Sequence, residues 1–525
     1  MPIDERWYDL GDFTGLVNLE GVEYRDYQSN IVKAVLKKGN SLVVLPTGLG
    51  KTLIGTLLIA KSLSEGKRAL LLAPTRPLAE QHRNELSRLL KAEAGSVALL
   101  VGTVGKKDRK ETELTASVII ATPQTIANDL KSGTFSLDGF GIAVFDECHR
   151  AVGKYAYTYI ANELAAKDAL IVGLTASPGS RKDKVAALVG TLNVRHIEAR
   201  MSTDPDVVAY VMPKYVHVVR VAQTERIREI AALLKPIAEE SLKSLNGMGL
   251  MRMKSFESIP KGRLIALGNE INRISAQGYR FGAFFSYIKL LNTVHAYDLL
   301  LTEGIYPFHA YVTTLREREQ KSRAVENLLM NKGMVRAMQL ADEALRNGEE
   351  HPKVGEVVRI IRSSASRSTI VFVQFRSTIK MLVDQLRKRG LSAMPFVGKK
   401  DGVTQEGQKR TIADFRAGRF DVLVASSIGE EGLDIPNVDL VVFYEPIPNE
   451  IRNIQRKGRT GRFRAGDVYV LVATGTKDEV YLYVSGVKEK RMAAVLLAVN
   501  RDLDRQAEAR AAKAGQHSLE EKPTQ

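Results

Sequence analysis

One cysteine, Cys148, serves a chain of 525 residues. A lone thiol excludes an internal disulfide and a cysteine-based zinc site, and it fits a reducing, cytoplasmic compartment. No apolar run approaches the ~20 residues that span a bilayer, so no membrane partner is expected. The opening segment carries Asp4, Glu5, Asp9, Asp12 and Glu20, so no secretory signal is expected either. No short-period repeat occurs, which excludes a solenoid. Carboxylates are in deficit: 60 Asp plus Glu face 76 Lys plus Arg, a formal charge of +16. That balance favours a polyanionic partner such as nucleic acid, although many basic proteins never touch one.

The length exceeds what one hydrophobic core supports, so two or three domains are expected. From Ser41 to Thr175 short apolar runs alternate with helical patterns: Ser41 to Leu45, Ala69 to Ala73, Val118 to Ala121, Ile142 to Phe145 and Leu170 to Leu174. The rhythm returns after residue 350 with Thr369 to Val373, Asp421 to Ala425, Leu440 to Phe443 and Val468 to Val472. These read as buried parallel strands, giving an α/β chain of two doubly wound lobes. Between them long helical patterns take over, as in Glu225 to Leu245 and Arg316 to Arg346, broken at Asn246 to Gly249 and Gly304 to Pro307. The predicted division is 1–215 for the first lobe, 216–350 for an all-helical insert, 351–500 for the second lobe and 501–525 for a tail, a frayed helix followed by disorder.

The strand ending at Leu45 runs into Pro46-Thr47-Gly48-Leu49-Gly50-Lys51-Thr52 and then an apolar helix. That turn places backbone N–H groups and a helix N-terminus around phosphate. Lys51 would neutralise the β and γ phosphates of ATP, and Thr52 would offer a hydroxyl to Mg²⁺. Asp146 and Glu147 follow a strand, where ligands of parallel sheets sit. Asp146 would hold Mg²⁺ through water, and Glu147 would orient or deprotonate the attacking water. His149 reads as a coupler of nucleotide state to Thr175-Ala176-Ser177, and Cys148 as a small buried residue. Upstream, Gln28 can both donate to and accept from a base edge, so with Arg25 it is the expected adenine clamp, a surface helix start being the alternative.

Gln455-Arg456-Lys457-Gly458-Arg459-Thr460-Gly461-Arg462 supplies the second half. Arg459 and Arg462 are three apart and can face one phosphoryl group together, with Gln455 orienting water. Asp434, in Gly429-Glu430-Glu431-Gly432-Leu433-Asp434, would reach the ribose beside Gly432. Each half is an incomplete ATPase, so one ATP is expected between two closing lobes.

These blocks resemble superfamily 2 helicases. His149 to Tyr157 and Tyr444 to Arg462 are similar to the archaeal Hef helicase and its eukaryotic relative, the Fanconi anaemia group M translocase, and the resemblance runs from Tyr24 to Met492. It implies RecA-like lobes and an ATP-dependent helicase on forked or branched DNA at stalled replication, nucleoid-associated and working beside replication or repair proteins. Many Hef proteins add a nuclease domain; none is expected here. Asp146-Glu147-Cys148-His149 stands where many relatives have Asp-Glu-Ala-His, a change expected to be silent. The family motifs imply strand-backbone contacts at Thr75, Arg76, Thr122, Pro123, Gln374 to Arg376, Gly398, Ser426 and Ser427, each also readable as an ordinary helix cap.

Within the insert, Arg252, Lys254, Lys261, Arg263, Arg273, Arg280 and Lys289 face few carboxylates and are expected to grip nucleic acid. The interleaved Phe281, Phe284 and Phe285 are expected in the core. Two other readings stay open: an RNA-duplex ATPase of the RNA-sensor and Dicer type, and a binding scaffold with a silent ATPase.

Overall fold

Runs of aliphatic residues too short for helices, the central ones buried over most of their length, assemble into two all-parallel sheets. The computed structural model describes residues 3–46, 48–102, 105–153, 155–210, 215–364, 368–398, 404–426, 438–446 and 467–520. In the first lobe β1 (Ser41–Val44), β2 (Arg68–Leu72), β3 (Val97–Leu100), β4 (Val118–Ala121), β5 (Phe140–Asp146), β6 (Leu170–Thr175) and β7 (His196–Ala199) lie in the order β3-β4-β2-β5-β6-β1-β7. In the second, β8 (Tyr215–Val221), β9 (Thr369–Val373), β10 (Ala393–Phe396), β11 (Val422–Ser426), β12 (Leu440–Phe443) and β13 (Asp467–Ala473) lie in the order β10-β11-β9-β12-β13-β8.

The strands absent from the sequence reading are β3, β7, β8 and β10, and each is an edge strand. An edge strand is covered on fewer sides, so it needs no continuous apolar run: β8 is mostly exposed and β10 contains Pro395. Because β8 pairs with β13, the chain enters the second lobe's sheet before it builds the helical bundle. Residues 216–221, expected in the insert, therefore belong to that sheet.

The bundle packs Glu225–Gly247, Lys261–Asn272, Gln277–Thr302, Ile305–Glu317, Arg323–Met330 and Lys332–Arg346 around its own core of Ile, Leu, Phe and Met side chains. The helix expected from Arg316 to Arg346 is broken. Ser322 accepts from the Val325 N–H and Asn331 from the Gly333 N–H, so each restarts the chain as an N-cap. Gly304 begins the preceding helix at φ +113°, where a Cβ would meet His351 Cβ at 2.9 Å.

The last element ties the two lobes together. Lys477–Glu520 is one helix, and Met492, Leu496 and Val499 are buried in the first lobe's core beside Val185, Leu188 and Ile197. Their i, i+4, i+7 spacing makes an apolar stripe that the first lobe covers. Asn500 Oδ1 accepts from the Ile197 N–H at 2.9 Å, and Lys182 pairs with Asp502 at 2.9 Å. This helix straps the second lobe to the first. Among the described residues no helix is long and apolar enough to cross a membrane.

Candidate nucleotide site and nucleic-acid face

β1 carries the glycine loop, and its neighbours in the sheet end in the other predicted groups: Val44 is opposite Thr175 on β6, and Leu174 is opposite Asp146 on β5. Parallel pairing thus brings the C-terminal ends of three adjacent strands to one edge. Gly48 and Gly50 both have positive φ, +87° and +77°, which lets the loop turn into the helix Lys51–Ser64. Leu45, Pro46 and Leu49 are buried, while Gly50, Lys51 and Thr52 are partly exposed at the helix start. Lys51 Nζ donates to the Leu45 carbonyl at 3.0 Å, folded back over its own loop.

Gln28 differs from the expectation of a free base-reading amide. Its Nε2 donates to the Leu49 carbonyl at 3.1 Å, beside the Tyr27 hydroxyl donating to the same oxygen at 2.9 Å. Gln28 therefore braces the phosphate loop. Its Oε1 is buried with no hydrogen-bond partner among the described residues, an acceptor suited to an exocyclic amine. Arg25 pairs with Glu23 at 2.8 Å and lies over the Tyr210 ring, 5.0 Å from its centroid.

Asp146 is buried, and its Oδ2 lies 2.8 Å from His82 Nε2. Burial acts to lower the His82 pKa, but the adjacent Asp146 carboxylate outweighs it and raises the value. The Tyr157 hydroxyl lies 2.7 Å from the Asp146 carbonyl and 3.0 Å from the Leu72 carbonyl, its single proton shared between them, fixing where β5 ends. His82 does not stand out in the sequence, and Tyr157 enters it only as the last residue of the family-like block from His149. Glu147 adopts a left-handed backbone, φ +47°, a strained conformation for a residue with a Cβ. His149 Nδ1 is 3.1 Å from Thr175 Oγ1 and 3.4 Å from Glu147 Oε2, and the Ser177 N–H donates to Thr175 Oγ1 at 3.1 Å. Ser177 Oγ in turn contacts Met492 Sδ at 3.2 Å, on the strap helix. Cys148 is fully buried, and burial pushes its thiol pKa well up. A Cβ at Gly173 would meet its sulfur at 2.9 Å.

A phosphate and Mg²⁺ fit this set of donors: a left-handed glycine turn, an ammonium, a hydroxyl at a helix start and one buried carboxylate. Among the described residues no group of three or more His, Cys, Asp and Glu converges. Thr47, Ser427, Gly432, Asp434, Gln455, Arg459 and Arg462 lie outside the described residues.

The implied strand contacts lie after strand ends in both lobes. Thr75 and Arg76 open the helix Arg76–Leu89, and Thr122 opens Pro123–Lys131, its hydroxyl 2.8 Å from that of Thr125. Gln374 and Arg376 follow β9, Gly398 follows β10, and Ser426 ends β11. Thr75 Oγ1 is buried without a partner among the described residues, so it does not act as a cap. Arg76 pairs with Glu80 at 2.8 Å, and Lys409 of the second lobe reaches the same carboxylate at 3.1 Å. Burial acts to raise the Glu80 pKa, but the two cations hold it low.

The insert reverses two expectations. Phe281 and Phe284 are 60% and 39% exposed, not core. Lys289 is buried, 3.5 Å from Glu240 and over the Phe285 ring, so it cannot form part of an open grip. Arg263 is tied to Glu270 at 2.6 Å and to the Leu250 carbonyl at 2.8 Å, while Arg252, Lys254 and Lys261 are exposed.

Residues 21–180 match the family model described as type III restriction enzyme, res subunit, and residues 352–464 match helicase conserved C-terminal domain. Residues 226–348 match a model described as an ATP-dependent RNA helicase helical bundle. The crystal structure of the Pyrococcus furiosus Hef helicase domain is 40% identical, with a TM-score of 0.71 over 90% of this chain and 99% of that one. A Methanocaldococcus jannaschii protein described as an ATP-dependent RNA helicase is 35% identical, over 92% of this chain and 62% of its own length. The Schizosaccharomyces pombe ATP-dependent DNA helicase fml1 is 30% identical over 87% of this chain and 58% of its own, and Neurospora crassa mph1 is 31% identical over 87% and 41%. The chain thus spans less than two thirds of the length of the last three relatives.

Proposed function

The chain belongs to the Hef and Fanconi anaemia group M family of superfamily 2 helicases, and we propose that it is an ATP- and Mg²⁺-dependent motor acting on forked and branched DNA in replication and repair. The observation that carries this reading is the joining of Lys51, Asp146 and Thr175 at one edge of the first sheet, within a chain whose second parallel lobe is tied back to it.

Lys51 and the N–H groups at the start of its helix would hold the phosphates, and Thr52 and Asp146 would hold Mg²⁺, whose chemistry when bound would be to neutralise charge on the phosphoryl oxygens. Glu147 orients the attacking water. Arg459 and Arg462 would be offered to the γ-phosphate from the second lobe, a contribution of about 10³ to 10⁵ in turnover for arginines used this way in phosphoryl-transfer enzymes. His149, Thr175 and Ser177 carry nucleotide state toward the strap helix, and lobe closure advances Thr75, Thr122, Gln374, Arg376, Gly398 and Ser426 along a backbone. Arg252, Lys254, Lys261 and the exposed Phe281 and Phe284 form the branch grip on the insert. The +16 formal charge supports work at the nucleoid.

DNA is favoured over RNA by the names of fml1 and mph1; the M. jannaschii relative carries an RNA name. ATPase rates on fork, four-way junction, single strand and RNA duplex, at two salt concentrations, decide between them. Maximal stimulation by the fork, falling with salt and lost in Lys51→Ala, is expected. Stimulation by RNA duplex alone would sink the DNA reading.

A further inference from the structure

Where the helical insert meets the C-terminal ends of β9, β12 and β13, a half-open cavity of about 370 Å³ is walled by His295, Tyr311, Phe375 and Tyr481. That volume lies at the small end of the roughly 300–1,000 Å³ range of ligand sites. The charges around it are unevenly matched. Asp298 is paired by Lys477 at 2.6 Å, and Asp478 by the fully buried Lys353 at 2.7 Å. Two further carboxyls on the wall, Glu303 and Glu445, have no cation to themselves among the described residues.

Glu303 Oε2 accepts from the Thr378 hydroxyl at 2.9 Å, and Glu445 Oε1 accepts from the Gln374 N–H. Glu445 is only 4% exposed, and its Oε2 has no hydrogen-bond partner among the described residues. A buried acidic oxygen without a donor is unfavourable unless something else meets it. Lys261, the remaining cation on the wall, is exposed at the rim and screened by solvent. Aromatic walls attract organic cations through their ring faces, and the acids supply matching acceptors.

We propose that this cavity binds a small organic cation, with a guanidinium or primary ammonium head directed toward Glu303 and Glu445 and an alkyl stem along Tyr311 and Phe375. The site is separate from the nucleotide site, and the inference does not rest on the helicase reading. Burial raises the Glu303 pKa to about 7 and that of Glu445 well above its ordinary value, Lys353 opposing and Asp478 reinforcing the shift. His295 on the same wall stays neutral, its pKa lowered to about 4 by burial, Lys261 and Lys477. A bound cation favours the ionised carboxyls, so binding releases protons near neutral pH.

The test is calorimetric titration of the full chain, without nucleotide or DNA, with agmatine and with spermidine at pH 7 in two buffers of different ionisation enthalpy. Saturable binding of either cation with proton release is expected, beyond any effect of sodium chloride at equal ionic strength. Glu303→Gln should weaken it about tenfold or more, as loss of a charge-assisted contact does. Leu291→Trp, at a half-buried wall position, fills the cavity without altering charge and should abolish binding. No saturable heat, binding without proton release, or undiminished binding to Leu291→Trp overturns the proposal.

Discussion

His82 Nε2 lies 2.8 Å from Asp146 Oδ2, so the helix Arg76–Leu89 holds the carboxylate proposed to bind Mg²⁺. Groups in this outer position orient a ligand without touching the metal themselves. His82→Ala should lower Mg²⁺ affinity or turnover about 10- to 100-fold, the usual effect of losing such a partner. Mg²⁺-dependent ATPase titration measures it; an unchanged Mg²⁺ half-saturation and rate would refute the role.

Gly50 faces two constraints at once. Its φ is +77°, and a Cβ would fall 2.2 Å from Gln28 Nε2. Gly50→Ala should lose about 1–3 kcal/mol of stability and most nucleotide binding. Adding Gln28→Ala should restore part of the stability by removing the clash, as thermal unfolding of the pair of variants would reveal.

Met492 is fully buried against the first lobe, although its helix begins in the second. Met492→Ala should destabilise the protein by about 2–5 kcal/mol, as cavity-forming changes do. Limited proteolysis should then release the strap helix early. If neither stability nor protease sensitivity changes, the strap is not an energetic link between lobes.

Lys353 and Asp478 form a buried pair whose side chains are 0% and 3% exposed. Lys353→Met leaves Asp478, Glu303 and Glu445 without their shared cation and should cost about 3–5 kcal/mol. Denaturant unfolding of that variant is the check.

Glu350 gives a pH signature. Burial raises its pKa to about 7, Arg389 and Lys388 only partly opposing. The folded state therefore binds the proton more tightly than the unfolded chain. This stabilising contribution is complete below the ordinary carboxyl value near 4.3 and is lost as pH rises through about 7. Glu350→Gln should raise the melting temperature relative to the parent at pH 8 and much less at pH 5. Equal effects at both would rule out this assignment.

Phe281 and Phe284 stand exposed on the insert's surface and, with Arg252 and Lys254, belong to the proposed grip. Phe281→Ala should change stability by less than about 0.5 kcal/mol. It should weaken fork binding by about 1 kcal/mol or more if a base stacks on it. Fluorescence anisotropy with labelled forks separates the two effects.

The sequence by itself determined the central strands and the phosphate loop, because a strand buried on both faces must be a continuous apolar run and a phosphate turn needs glycine at left-handed positions. Tertiary structure alone decided the edge strands, whose polarity hides them, and the direction of Phe281 and Lys289, which a helix can turn toward core or solvent. It alone also joined His82 to Asp146, 64 residues on, and Ser177 to Met492, 315 residues on. Local pattern records how much surface a segment must bury; the identity of what buries it is set only when distant parts of the chain meet.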